Sequence, residues 1–442
     1  MSKRLKIIAL IVVVLLAAAP LFLKSEKDFL EVMNFTDSIG VKTRIIKFDS
    51  NEVVYVKCKF KNSGGYFDAP EKLGLSAVVS SVLFSRVGDL SLPDTARKFK
   101  ELGITGMDVS SSGHDFEIAF LMPKSKSAEI LSFLSTAFVE PAFTKRDLEY
   151  VKRFYPDILD VETSSITDLT REKIDEMLYE NGMYGVNLTG SPQTISGITI
   201  EDVEDFIKTK FTRKNLKMTF GGNVSKAEAE SYTKILFEKI SEGNEPEKLK
   251  ADQQKILLGN LSEQTEAKIS KPHMEDVVGI LTGIRLDGFN KLERAATTII
   301  VDALFSEFGD FIRDMERSDI IGLVNCRATF EKYSGALYLE VVLNKKDVEK
   351  YKKFLAEKLS EYQKKINLRD CRIAKKNFEK LTQSGFIAMN GLDYKLKMRL
   401  LPFAKVDDDV LKYTANKLFD KKNIRTVVIG DFSEVVGGKN GN

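Results

Sequence analysis

"FTRKNLKMTFGGNVS" at Phe211–Ser225 returns, without a gap, as "FDKKNIRTVVIGDFS" at Phe419–Ser433. Phe211 matches Phe419, Lys214 matches Lys422, Asn215 matches Asn423, Gly222 matches Gly430 and Ser225 matches Ser433, with Leu216 and Ile424 near equivalents. Each copy reads as a basic turn, a strand and a Gly-centred turn. Each also follows a helical segment that opens on acidic residues, "TIEDVEDFIKTK" and "VDDDVLKYTANKL". A pattern met once per half-chain implies one domain used twice.

The join between the copies is legible too. "SEGNEPEKLKADQQ", Ser241–Gln254, is polar, holds Gly243 and Pro246, and lacks apolar periodicity, which suits an exposed linker. The expected organisation is a first domain over 28–240, a linker over 241–262 and a second domain over 263–442. In the first half, strands at Val53–Phe60, Met107–Ser110 and Phe116–Leu121 are expected to alternate with helices at Gly74–Phe84, Leu92–Leu102 and Ser125–Phe138. In the second, the strand "GALYLEVVL" precedes the long helix "VEKYKKFLAEKLSEYQKKI". The fold class is therefore α+β, a mixed, largely antiparallel sheet packed against helices, twice over.

A chain of 442 residues exceeds one ordinary core, and 43% hydrophobic with 30% charged residues is a folded composition. Lys and Arg total 67 against 64 Asp and Glu and are scattered, so no nucleic-acid footprint stands out. Lys3, Arg4 and Lys6 precede the apolar run Ile7–Leu23, the charge pattern of an export signal over residues 1–27. Its length is marginal for a bilayer, and Pro20 spoils the small-residue cleavage site, which favours an uncleaved inner-membrane anchor over a cleaved signal. Cys58, Cys326 and Cys371 leave room for one disulfide and form no C-x-x-C pair.

"GLSAVVSSVLF", Gly74–Phe84, buries Leu75, Val78, Val79, Val82 and Leu83 at helical spacing. On its other side Ala77, Ser80 and Ser81 stand at i, i+3 and i+4, where a metal-binding helix projects its ligands. They carry no such group. The chain has two histidines, His114 and His273, neither beside a Cys or a second His, so a tetrahedral zinc set is improbable on chemistry alone. Asp157, Asp160 and Glu162 read as a solvated acidic cluster rather than a site for a harder cation. Ser76, Ser80, Ser81 and Ser85 are candidate nucleophiles only if a base such as His114 reaches one of them. A small-residue packing strip is the simpler account.

These stretches together resemble the M16 metallopeptidases, the family of insulin-degrading enzyme, pitrilysin and the mitochondrial processing peptidases. Gly74, Leu75, Leu83 and Phe84 stand at the matching places of the family's G-L-A-H-F-L-E-H-M-L-F helix. "KFKELGITGMDVSSSGHDFEIAFLMP" resembles its helix, Gly turn and strand pair, and "LSFLSTAFVEPAFTKRDLEYVKR" its next helix and P-x-F segment. The resemblance implies two homologous domains closed as a clamshell around a substrate chamber. It also implies a zinc motif H-x-x-E-H whose Glu is the general base, with a downstream Glu as the last ligand. Position by position, the first His becomes Ala77, the Glu Ser80, the second His Ser81, and the downstream Glu falls at or next to Ile158, where Pro156 is expected to interrupt the helix. The family's Arg and Tyr that contact substrate from the second half fall on "RSDIIGLVN", with Arg317 offset by one, Asn325 in place of Tyr, and Arg313 competing for the Arg role; an exposed helix-end Arg317 paired with Asp314 or Glu316 is the simpler account.

The expected function is thus that of a non-catalytic M16-like protein without cofactor, at the periplasmic membrane face. It would partner an active subunit that carries the zinc motif and help bind extended polypeptide. A standalone peptide- or protein-binding scaffold at the membrane is the alternative, and an active protease with an unusual site ranks last.

Overall fold

The computed structural model describes residues 31–47, 52–164, 166–246, 249–272, 274, 276–383 and 401–432. The N-terminal segment 1–27, His273 and Ser433 lie outside them. Among the described residues, no helix is long and apolar enough to cross a membrane.

Two sheets carry the fold. The first uses β1 (Glu31–Thr36), β2 (Lys42–Lys47), β3 (Val53–Lys61), β4 (Thr105–Ser111), β5 (Asp115–Pro123) and β6 (Leu216–Gly221), in the order β1-β2-β6-β3-β5-β4. The second uses β7 (Glu266–Ser270), β8 (Val277–Arg285), β9 (Gly322–Phe330), β10 (Gly335–Asn344) and β11 (Ile424–Gly430), in the order β7-β11-β8-β10-β9. With β1 set aside, the orders correspond strand for strand. In both, the single parallel pairing is the equivalent one, β2 with β6 and β7 with β11. The repeated stretches supply β6 and β11, and the register agrees as well: Leu216 opposes Phe60 and Ile424 opposes Ile284. The duplication is one α+β unit built twice.

Helices cover one face of each sheet. In β3, Val54, Val56, Cys58 and Phe60 point into a first core shared with the helices Leu75–Val82, Ser127–Val139, Ile200–Lys210 and Lys226–Phe237. Phe60 stacks on Phe211 with centroids 4.3 Å apart, and Phe116 lies 5.0 Å from Phe211. The second core joins Ile280, Ile284, Leu337 and Leu339 to the helices Lys291–Phe305, Val348–Lys364 and Asp408–Leu418. Its Phe419, the counterpart of Phe211, packs beside Tyr362 and Phe305.

The halves also interlock. The helix Ile166–Leu178 belongs to the first half by sequence, yet Ile174, Met177 and Leu178 pack with Leu281, Ala336, Tyr338 and Val427 on the other face of the second sheet. Gly283 permits that approach, since a Cβ there would stand 2.7 Å from Ile174 and 2.9 Å from Leu178. Arg171 lies 3.4 Å over the Tyr338 ring, and Asp175 accepts from both Arg171 Nε (2.8 Å) and the Tyr338 hydroxyl (2.6 Å). Arg285 donates to the Leu178 carbonyl, one of the orphan acceptors at that helix's C-terminus.

One local expectation needs correction. The helix Lys145–Ser164 runs through Pro156 without a break, so the missing Pro N–H costs one helical hydrogen bond rather than the helix, whose length on either side outweighs it. The expected linker, 241–262, is exposed over its polar start at 241–245 and runs on into the helix Ala251–Leu258, which buries Leu257 while Ile256 stays 64% exposed. Leu257 joins the cluster under the helix Ile166–Leu178, with Leu249, Leu258 and Leu261 packed against it, so this segment is held at several points.

Candidate functional site

The helix Leu75–Val82 starts after Gly74, whose φ of +95° is left-handed and whose absent Cβ makes room for Ile195 and the Thr189 carbonyl, each 2.6 Å from where it would stand. A glycine gives the N-terminus no side-chain cap. Asp68 takes that role from six residues upstream. Its Oδ2 accepts from Gly74 N–H (3.2 Å), Ser76 N–H (3.1 Å) and the Ser76 hydroxyl (2.9 Å), which in turn accepts from the Ser111 hydroxyl (2.8 Å). Burial pushes the Asp68 carboxyl up to about 6, against the pull of those donors. Sequence reading passed over Asp68 because six residues is too far for a capping box; the only signal was an acid in the Gly-rich turn before a helix.

Ala77 is half-buried against the first core, Ser80 is half-buried, and Ser81 is exposed. Ser80 Oγ donates to the Ala77 carbonyl at 2.7 Å, and Ser81 Oγ reaches the same carbonyl at 3.2 Å. Ser85 Oγ donates to Val82 in the same manner at 2.8 Å. A methyl group and two hydroxyls turned back onto their own helix do not fit a tetrahedral zinc ion, which takes thiolate, imidazole or carboxylate. Among the described residues, no three His, Cys, Asp or Glu side chains converge. Ile158 falls on the helix Lys145–Ser164, but its side chain, with those of Asp157, Asp160 and Glu162, lies outside the described set.

His114 is not a base for any of these serines. It sits in the β4–β5 turn, 6% exposed, with Nε2 2.5 Å from the Tyr184 hydroxyl and the rings of Tyr66, Phe67, Tyr184 and Tyr333 around it. Nδ1 is buried without a partner. Tyr333 comes from the β9–β10 turn, so this aromatic box joins the two halves. Replacing both Ser80 and Ser81 with Ala is expected to shift stability by no more than about 0.5 kcal/mol and to leave any peptidase activity of an assembly containing this chain unchanged. Urea titration and peptide turnover check both points; a drop in turnover would restore a nucleophilic serine.

In the second half, Arg317 ends the helix Asp310–Arg317 with a 75% exposed side chain 3.1 Å from Asp314, the arrangement of an ordinary helix-end ion pair. Arg313 is held by Asp310, by Asp370 at 2.9 Å and by the Phe308 carbonyl. Asn325 lies exposed on β9, opposite Glu340. It borders a recess of about 10 Å³ with Thr167, Arg171, Leu281, Arg327, Tyr338 and Glu340, room for one water at most. Arg317 does not line that recess.

No protein-family model matches the sequence, and no curated protein matches it. Solved structures do. A peptidase M16 inactive domain from Pseudomonas fluorescens superposes with a TM-score of 0.78 at 14% identity, covering 91% of this chain and 98% of that one. The chain has the M16 peptidase fold. A protease from Helicobacter pylori matches over 91% of this chain and all of its own length, with a TM-score of 0.73 at 14% identity. The first half of the periplasmic protease PqqL from Escherichia coli matches over 93% of this chain and 94% of that one, with a TM-score of 0.71 at 12% identity. On this M16 scaffold, the helix Leu75–Val82 is the place where the sequence resemblance set its catalytic motif, and Ala77, Ser80 and Ser81 are what stand there.

Proposed function

We propose that this chain is a catalytically silent M16-fold subunit that binds extended polypeptide beside an active, zinc-bearing partner at the periplasmic face of a membrane. The observation that carries the reading is the helix Leu75–Val82: its Asp68 cap and buried face are intact, while its outer positions hold one methyl and two self-satisfied hydroxyls. A scaffold kept in register without ligand or general base serves binding rather than bond cleavage. The likeness to an inactive M16 domain supports this, and the periplasmic setting of PqqL agrees with the export-type N-terminus. The partner supplies the metal and the base; this chain supplies part of the enclosing wall.

The test is co-expression of the full chain with an M16-fold subunit that bears an intact H-x-x-E-H motif. Co-purification is expected, with zinc at one ion per pair and cleavage of unfolded polypeptide only in the mixture. Stoichiometric zinc and chelator-sensitive cleavage by this chain alone would overturn the proposal.

A further inference from the structure

The two halves are built alike but finished differently on one sheet face. With Leu216 opposite Phe60 and Ile424 opposite Ile284, Lys217 corresponds to Arg425, Lys57 to Leu281, Lys59 to Gly283 and Lys61 to Arg285. In the second sheet this face is closed. The helix Ile166–Leu178 packs on Leu281 and over Gly283, and Arg285 donates to the Leu178 carbonyl. Arg425, 6% exposed, donates to the carbonyls of Ser262, Lys422 and Ile424. In the first sheet the same positions carry lysines.

Ile45, Met218, Cys58 and Phe60 point into the first core, so alternation along each strand turns Lys42 and Arg44 of β2, Lys217 of β6 and Lys57, Lys59 and Lys61 of β3 to the opposite face. Register sets Lys42 beside Lys217 and Lys217 beside Lys59, three ammonium groups abreast on adjacent strands. Like charges directly opposite one another weaken a sheet, and a fold keeps such a row where the charge is used. The neutralising carboxylates are spent at one end. Asp115 and Glu117 lie 2.6 and 3.0 Å from the Lys59 ammonium, and Glu117 lies 2.7 Å from that of Lys57. Lys42 meets Glu245 at 3.3 Å, with both side chains more than half exposed. Among the described residues, no carboxylate comes within 4 Å of Arg44, Lys61 or Lys217, all three half-buried. Burial first, then the charges of Arg44, Lys61 and Lys59, hold the Lys217 ammonium below its ordinary range. Burial and Lys42 do the same to Lys61; Lys332, from the β9–β10 turn, adds to that shift, while Glu245 and Asp115 oppose it.

These three cations lie on a diagonal. Arg44 stands beside Thr219, two residues beyond Lys217, and Lys61 stands two residues beyond Lys59 in the opposite sense. Diagonal neighbours in a sheet are about 7–8 Å apart, and alternate side chains of an extended chain about 7 Å. That spacing suits alternate carboxylates of one segment rather than a single small anion. We propose that the lysine-bearing face of the first sheet is a charge-selective surface for polypeptide segments with acidic residues at three alternate positions, one carboxylate against each of Arg44, Lys217 and Lys61. The contact runs from side chain to side chain across the sheet face and uses no strand edge. This inference rests on reading the chain as a polypeptide-binding subunit, and it names the segments that subunit favours.

Fluorescence anisotropy of the full chain in detergent tests it with a labelled Thr/Ser peptide carrying Glu at three alternate positions, and with its Gln and Lys counterparts. The Glu peptide is expected to bind about tenfold more tightly than the Gln peptide at low salt, a margin that high salt removes, and the Lys peptide more weakly than either. Lys61→Gln combined with Lys217→Gln is expected to erase most of that margin. Lys234→Gln combined with Lys239→Gln, the same loss of charge at exposed positions on the helix side of the sheet, is expected to leave it. Relief of repulsion is expected to keep the urea midpoint of the Lys61/Lys217 variant at or above the parent's, which separates lost binding from lost folding. A Glu peptide held no better than the Gln peptide, a preference that the Lys61/Lys217 variant retains, or one that the helix-side variant loses equally would overturn the charge-selective face while leaving the proposed function standing. No binding of any of the three peptides would remove both.

Discussion

Replacing Phe211 with Ala is expected to destabilise the protein by about 3–5 kcal/mol, and replacing Phe419 by a similar amount. Phe211 is 2% exposed and stands at the meeting point of Phe60, Phe116, Phe138 and Phe206, with the Phe60 ring stacked on it. Truncating it removes the transfer free energy of a whole ring and leaves a cavity between β3 and the helices that the neighbouring rings fill only in part. Phe419, fully buried beside Tyr362 and Phe305, is in the same position in the second core. Lys214 and Lys422 are equally well matched in the repeat but lie at the turns, so their alanine variants are expected to stay within about 0.5 kcal/mol of the parent. Urea unfolding followed by circular dichroism separates the cases. A loss below about 1 kcal/mol at Phe211 would mean that the repeated phenylalanine does not anchor its half.

That contrast shows what the sequence could disclose. Local periodicity located β3, β10 and the helices Leu92–Leu102 and Val348–Lys364 to within a few residues, because each alternates apolar and polar residues with a clear period. The duplication was legible because the same side chains build the same strand twice. The interlocking helix Ile166–Leu178 was not, since its apolar residues do not reveal which of two sheets they cover. Pro156 misled because a long helix tolerates one lost hydrogen bond. At the candidate site, the identities of Ala77, Ser80 and Ser81 were readable, whereas the Asp68 cap and the box around His114 depend on contacts between distant turns. For Arg317 the helix-end ion pair with Asp314 was readable from the spacing of the two charges, whereas the place of Asn325 on an edge strand depends on the pairing of β9 with β10.

The second large effect is electrostatic and appears only when two groups are separated. Burial lowers His114 to about 4, with Lys332 and Lys59 adding to the shift and Asp115 opposing it. The Tyr184 hydroxyl occupies Nε2, and the rings of Tyr66 and Tyr333 seal the other side, so a second ring proton would stand at Nδ1 without an acceptor. The unfolded chain takes up that proton near pH 6.5 and the folded chain only near pH 4. His114 therefore contributes fully above 6.5, and about 3 kcal/mol is lost as pH falls through that window. Asp68 runs the other way. Its folded value of about 6 exceeds the unfolded one, so its contribution is complete below pH 3.8 and is lost as pH rises through 6, an opposing amount of about 3 kcal/mol. In the parent protein the two slopes largely cancel between pH 4 and 6. His114→Gln, whose side-chain amide can donate to or accept from the Tyr184 hydroxyl, is expected to uncover the Asp68 slope, so that the variant gains stability relative to the parent by about 3 kcal/mol between pH 6.5 and 4. Asp68→Asn is expected to uncover the reverse. Urea midpoints measured across that range decide it: parallel curves for parent and His114→Gln would mean that His114 titrates as freely as in the unfolded chain, and that the aromatic box between the halves does not exclude the proton.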